Sequence, residues 1–246
     1  MLPGQARALS PLKDRMKLVL LPGLDGTGIL FEPLLRALPQ ALTPVVQSYP
    51  GDVPLSYEEL LPVAQSALPI AEPFILLGES FSGPLALRIA ATNPAGLKGV
   101  ILCASFVRNP VRFFPQLCRP LIQPIIFSSW PPWFRLRALF VGYSSHAMFE
   151  LVERAHKIVT AEVMAARARE IIAVNAEEAL AACRVPILYV AGGWDRLVPE
   201  HNRRRIKQIK PSVKVVVLPS LHMVLQNIPE AAAEVIAHCA ARVGAE

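Results

Sequence analysis

Ten consecutive residues, Phe74-Ile75-Leu76-Leu77-Gly78-Glu79-Ser80-Phe81-Ser82-Gly83, limit the architecture of this chain more than any other stretch. The apolar run has the look of a strand buried on both faces of a sheet, and the small residues that follow it make a sharp turn with Ser80 at the apex. A serine hydroxyl is a poor nucleophile at neutral pH; such a turn holds it clear of its own backbone and beside main-chain N–H donors. The residues two before and two after the apex must be small, and here they are Gly78 and Ser82, with Gly83 one step later. Placing Ser82 at the apex instead would put Pro84 in a position that has to be small, whereas Pro84 suits the first turn of a following helix. The plainer alternative is a strand-turn-helix whose serine only caps the helix.

Strand-like runs at 17–21, 44–48, 74–77, 99–103, 186–190 and 213–218 alternate with helical stretches at 29–38, 57–68, 83–91, 202–209 and 229–242. From about Arg108 to Ala182 the strand-like runs stop, and helical stretches at 113–126, 133–140, 147–159, 161–174 and 177–182 follow one another. This predicts an α/β fold class: a mostly parallel central sheet flanked by helices, built from 1–107 and 183–246, with 108–182 as a helical cap insertion. Ligands of such sheets bind beyond the carboxyl ends of the strands.

A nucleophilic Ser80 needs a histidine base and an acid to orient it. The strand at 186–190 runs out into Gly192-Gly193-Trp194-Asp195, and the strand at 213–218 into Pro219-Ser220-Leu221-His222, so Asp195 and His222 both follow strand ends. The order Ser80, Asp195, His222 is that of the nucleophile-elbow hydrolases. Alone, Asp195 reads as a turn residue and His222 as a packing histidine; the coincidence of all three carries the argument. His146 and His156 fall in the helical insertion, His201 opens a basic helix, and His238 lies deep in the last one. Asp14, Asp25 and Asp52 precede the nucleophile, and Glu79, beside it, is expected to have a supporting role at most. In this class the oxyanion hole takes backbone N–H groups from the residue after the nucleophile and from an early loop, here Phe81 and Leu24. The loop around Leu24, Gly23-x-x-Gly26-x-Gly28, also looks like a dinucleotide-binding turn, but its spacing differs from that fingerprint and no acidic residue ends the next strand.

Other classes find less support. Mean hydropathy is high at +0.40, yet no stretch reaches the roughly 18 apolar residues of a membrane span, and no signal peptide is visible. Cys103, Cys118, Cys183 and Cys239 are widely spaced, which predicts free thiols, no metal site and a cytoplasmic location. The net charge of +6 is concentrated in Arg203-Arg204-Arg205, Lys207 and Lys210. Interleaved Ile206 and Ile209, without aromatic residues for base stacking, make that run a solvated helix face and not a nucleic-acid site.

Taken together, Leu21-Pro22-Gly23-Leu24-Asp25-Gly26-Thr27-Gly28, Gly78-Glu79-Ser80-Phe81-Ser82-Gly83, Gly192-Gly193-Trp194-Asp195 and Leu221-His222 resemble the α/β-hydrolase superfamily, in its esterase and lipase-like branch with a helical cap. The resemblance spans nearly the whole chain, with Pro22-Gly23 where many members carry His-Gly and Ser82 where the elbow commonly ends in glycine. It implies a cofactor-free serine carboxylesterase: Ser80 attacks an acyl carbonyl, His222 acts as base and then acid, and water releases the acyl group. The cap would choose the substrate, a small to medium uncharged apolar ester, with Trp130, Trp133 and Phe134 among its contacts. Acyl transfer, thioester hydrolysis and lactone hydrolysis share this machinery. Two further readings are a non-catalytic small-ligand binder on the same fold and peripheral membrane contact through the cap.

Overall fold

Uninterrupted runs of Val, Ile and Leu are satisfied only in a sheet covered on both faces. A computed structural model of the chain, describing residues 16–111, 116–128 and 146–245, uses them in that way. Strands β1 (Met16–Leu21), β2 (Leu42–Val46), β3 (Phe74–Glu79), β4 (Leu97–Cys103), β5 (Ile187–Gly192) and β6 (Lys214–Leu218) form one open sheet in the order β2-β1-β3-β4-β5-β6. Every neighbouring pair is parallel. This is the open parallel sheet that the sequence resemblance implies. β3 lies inside it with all of its residues buried, so Ser80 leaves the sheet from a strand that has no freedom to shift.

Successive side chains of each strand point to opposite faces. Val19, Leu21, Phe74, Leu76, Val100 and Leu102 face one layer, where they meet α2 (Tyr57–Gln65) and α3 (Gly83–Ala91) through Leu60, Leu85 and Ile89. Leu18, Leu20, Ile75, Leu77, Ile101 and Cys103 face the other, against Leu34 of α1 (Glu32–Ala37) and Ile236 of the closing helix Pro229–Val243. Ser56 and Glu59 cap α2 reciprocally, and Pro84 sits in the first turn of α3, where its missing N–H costs nothing.

Between β4 and β5 the described chain is helical, with α4 (His146–His156), α5 (Ala161–Ala173) and α6 (Glu177–Ala182). The expected helix over 113–126 is corrected: within its described part the chain makes two 3-10 segments, Gln116–Leu121 and Pro124–Phe127. Pro120 and Pro124 remove the N–H groups that an α-helix would need there. The helix expected over 133–140 lies outside the described residues. After β5 comes α7 (Glu200–Ile209), and after β6 a short α8 (Val224–Asn227) precedes α9 (Pro229–Val243).

The basic run is paired locally. Arg203 and Arg204 bind Glu200, Arg205 binds Glu177, and Lys207 donates to the carbonyls of Pro211 and Val213. Asn202 and Ile206 on the other side of α7 are buried. Cys103, Cys118, Cys183 and Cys239 are free thiols. Among the described residues no helix is long and apolar enough to cross a membrane.

Candidate active site

β3 passes directly into a 3-10 turn, Ser80–Ser82, and then into α3. Ser80 stands at φ 46°, a left-handed conformation that costs a residue with a Cβ about 1–2 kcal/mol. Its carbonyl accepts from the Gly83 N–H and from the Ser105 hydroxyl at 2.7 Å. The next carbonyl, of Phe81, accepts from the Tyr57 hydroxyl at 2.8 Å. The turn is tight: a Cβ on Gly78 would lie 2.7 Å from the Ser82 carbonyl oxygen, and one on Gly83 would lie 1.8 Å from Ser105 Oγ. Ser82 is tolerated because its buried hydroxyl is satisfied twice, donating to the Pro22 carbonyl and accepting from the Tyr49 hydroxyl at 2.8 Å. Burial pushes the Tyr49 pKa well up, which keeps that donor protonated.

The loops after β5 and β6 prolong the sheet. Gly193 N–H donates to the Leu218 carbonyl at 2.8 Å and Trp194 N–H to that of Ser220 at 3.0 Å. Gly192 permits this closeness, since a Cβ there would lie 2.1 Å from the Leu221 carbonyl oxygen. The zipped loops bring Asp195 and His222 face to face, with His222 Nδ1 2.8 Å from Asp195 Oδ2. Asp195 Oδ1 accepts from the Leu197 and Val198 N–H groups, each at 2.9 Å, so the carboxylate cannot rotate away. His222 Nε2 lies 2.9 Å from Ser80 Oγ. A carboxylate only accepts, so Nδ1 carries the hydrogen, and in the neutral ring Nε2 is left to accept from the serine hydroxyl. Such an array can take up the serine proton as the oxygen attacks.

The loop after β1 is closed by Gly26 N–H donating to the Gly23 carbonyl at 3.1 Å. A trans peptide points its N–H opposite its C=O, so this bond also fixes the direction of the Leu24 N–H. The Phe81 N–H is fixed likewise by the two bonds on the Ser80 carbonyl. Asp25 is buried, and its carboxylate is turned back to accept from the Thr27 N–H at 2.9 Å and the Thr27 hydroxyl at 2.5 Å. The glycines answer to protein neighbours. Gly26 (φ 71°) faces the Arg167 guanidinium, 2.3 Å from where its Cβ would be, and Gly28 (φ 75°) faces Val46 at 2.6 Å.

Glu79 is buried beside this loop and accepts from Gln226 Nε2 at 2.8 Å. Burial foremost, and then the Asp25 charge, push its pKa up to about 7. Sequence reasoning missed Arg167, Tyr49, Ser105 and Gln226, since none belongs to a motif. His146 and His156 lie on α4, His201 on α7 and His238 on α9. Trp130, Trp133 and Phe134, the expected substrate contacts, lie outside the described residues. Among the described residues no group of three His, Cys, Asp or Glu side chains is placed to hold a metal ion.

A sequence model of the alpha/beta hydrolase family matches residues 18–237. Phytyl ester synthase 1, chloroplastic, of Arabidopsis thaliana is 36% identical over 112 residues, a stretch that covers 42% of this chain and 16% of that protein. An esterase from Exiguobacterium antarcticum shares the fold with a TM-score of 0.77 at 14% identity, covering 92% of each chain. A thermophilic esterase from Thermogutta terrifontis does so with a TM-score of 0.72 at 18% identity, covering 94% of this chain and 91% of that one.

Two outcomes follow from the packing and charge of the site. Gly83→Ala forces a methyl into Ser105 and is expected to destabilise the fold by about 3 kcal/mol in urea unfolding, with Ser105→Gly in the same chain recovering part of the loss. Folding raises the Glu79 pKa from 4.5 to about 7, so the native state keeps a proton that the unfolded chain has released within that window. Stability therefore falls as pH rises from 4.5 to about 7. Glu79→Gln should flatten this slope and, at pH 8, exceed the wild type by up to about 3 kcal/mol; equal slopes in both proteins would contradict the assignment.

Proposed function

The chain belongs to the alpha/beta hydrolase family, and from that premise we propose that it is a serine carboxylesterase acting on small to medium, uncharged apolar esters. The observation that carries this reading is the unbroken line of bonds from Ser80 Oγ to His222 Nε2 at 2.9 Å and from His222 Nδ1 to Asp195 at 2.8 Å. In the proposed reaction Ser80 Oγ adds to the acyl carbonyl while its proton passes to His222. The developing oxyanion is met by the N–H groups of Leu24 and Phe81, a contribution of a few kcal/mol to the transition state. Collapse expels the alcohol, protonated by His222, and leaves an acyl group on Ser80. Water then adds to the acyl carbonyl as His222 takes its proton, and collapse breaks the bond to Ser80 Oγ, which recovers that proton from His222 as the acid leaves. Asp195 holds the tautomer that this sequence requires.

The helical segment 108–182 serves in this reading as the cap that selects the acyl group. Met148, Leu151 and Val152 of α4 pack with Met223, next to His222, and Val163 and Met164 of α5 pack with Leu24. These aliphatic and methionine side chains, packed against Met223 and Leu24, favour an apolar acyl chain in this reading. Four free thiols fit a reducing compartment such as the cytoplasm. A second reading, transfer of the acyl group to an alcohol instead of water, is favoured by the 36% identity to Phytyl ester synthase 1. Both readings share the acyl-enzyme and differ in the acceptor.

A panel of p-nitrophenyl esters of increasing chain length, with and without a long-chain alcohol, separates them through the ratio of acid to new ester formed. A fluorophosphonate should label Ser80 alone, and Ser80→Ala should abolish both label and turnover; turnover that survives rejects the assignment. Asp195→Asn should lower kcat by roughly four orders of magnitude with the far-ultraviolet spectrum unchanged. A rate near that of the wild type would mean that another carboxylate orients His222.

A further inference from the structure

Arg167 is only 1% exposed, in the middle of α5, and none of the ion pairs among the described residues includes it. A buried cation without a carboxylate partner is costly, and a helix that needed only packing there would use Leu or Met. Its guanidinium instead donates to three backbone carbonyls: Nη1 to Leu24 at 3.0 Å and to Asp25 at 2.6 Å, and Nη2 to Pro50 at 2.8 Å. The Tyr49 ring lies 5.7 Å from Cζ, and the Tyr49 hydroxyl leads through Ser82 to the Pro22 carbonyl.

We propose that Arg167 is a positioning residue that fixes the oxyanion loop, so that the Leu24 N–H meets the transition state without reorganising. The inference rests on the serine-hydrolase reading above. With Gly23 O held by Gly26 N–H, the carbonyls of residues 23, 24 and 25 are all occupied, two of them by Arg167. Three consecutive peptides then have fixed planes, and the Leu24 N–H has one direction left. The planar fork matters as well as the charge, because its donors stand at fixed angles, whereas a lysine ammonium offers one point. Gly26 is the counterpart of this device, for any side chain there would displace the guanidinium. The clamp is itself anchored. The Thr160 N–H at the start of α5 donates to the Gly51 carbonyl at 2.8 Å, which seats the helix against the same loop that supplies Pro50.

The test compares wild type, Arg167→Lys and Arg167→Met at a temperature where circular dichroism finds all three folded. It measures kcat and KM for p-nitrophenyl butyrate, the inhibition constant of an apolar trifluoromethyl ketone, and the pH dependence of kcat/KM. The ketone forms a tetrahedral adduct and reports on the oxyanion site, whereas KM is dominated by the acyl pocket. Expected for both variants is a loss of roughly 10- to 100-fold in kcat, smaller for Lys, with KM within about threefold. The ketone should weaken in proportion to the loss in kcat/KM, and the pH profile should keep its midpoint. Should Arg167→Met not fold, Arg167→Lys carries the same comparison. Variants that melt earlier yet keep the kcat and ketone affinity of the wild type would reduce Arg167 to packing and overturn the proposal. A wild type inert to esters and unlabelled by fluorophosphonate would overturn the hydrolase reading itself, a different result.

Discussion

The position of the Ser80 hydroxyl at the carboxyl end of the sheet depends on a backbone φ of 46°, a conformation that a residue with a Cβ leaves when it can. Ser80 cannot leave because its surroundings over-determine it. β3 is paired on both sides, to β1 and β4, and a slip of one residue would exchange its two buried faces. Beyond the strand, the carbonyls of Ser80 and Phe81 are claimed by Gly83, Ser105 and Tyr57, so relaxing the serine would strand buried donors. The strain is carried at the end of a fully buried strand paired on both sides, which is the support that the proposed nucleophile would need.

What could be read from the sequence was whatever depends on neighbours in the chain. The apolar runs, the small residues at the elbow, and Asp195 and His222 just past strand ends are local patterns, and all six strand-like runs coincide with strands to within a few residues. Arg167 could not be read in this way. In Ala165-Ala166-Arg167-Ala168-Arg169-Glu170 it has the same local context as Arg169, and its partners Leu24 and Asp25 are more than 140 residues away. The Ser82 hydroxyl, which looked like a compromise for glycine, likewise has its reason in Tyr49 and Pro22. The helix expected over 113–126, which gives way to 3-10 segments in its described part, is the converse error: apolar content outweighed Pro115, Pro120 and Pro124, whose effect on the backbone is purely local.

The glycine-rich loop illustrates how one local requirement serves unlike purposes. Glycine is needed wherever something approaches the backbone closely or φ turns positive, whether that something is a phosphate or a side chain. Here the approaching groups at Gly26 and Gly28, both at positive φ, are the Arg167 guanidinium and the Val46 side chain. Net charge is similarly indirect. The arginines of α7 are consumed by Glu200 and Glu177, and an overall +6 describes the surface without pointing to a partner.

Charge matters more where it is buried, and the loop after β1 lies among three such groups. Arg167 is on its carbonyl side, while Asp25 belongs to the loop and Glu79 ends the strand beneath it. An oxyanion forming near the Leu24 N–H would be favoured by the cation and opposed by both carboxylates. The structure limits that opposition in two ways. The Asp25 carboxylate is bound to Thr27, and Glu79, cut off from water and next to the Asp25 charge, has its pKa pushed up to about 7. The Gln226 amide bonded to Glu79 can serve either protonation state, since an acid and its anion both offer an acceptor oxygen. Near neutrality the loop thus has one buried cation, one carboxylate bound to its own turn and one acid that is largely uncharged below its pKa. That balance favours negative charge appearing where the proposed reaction would place it.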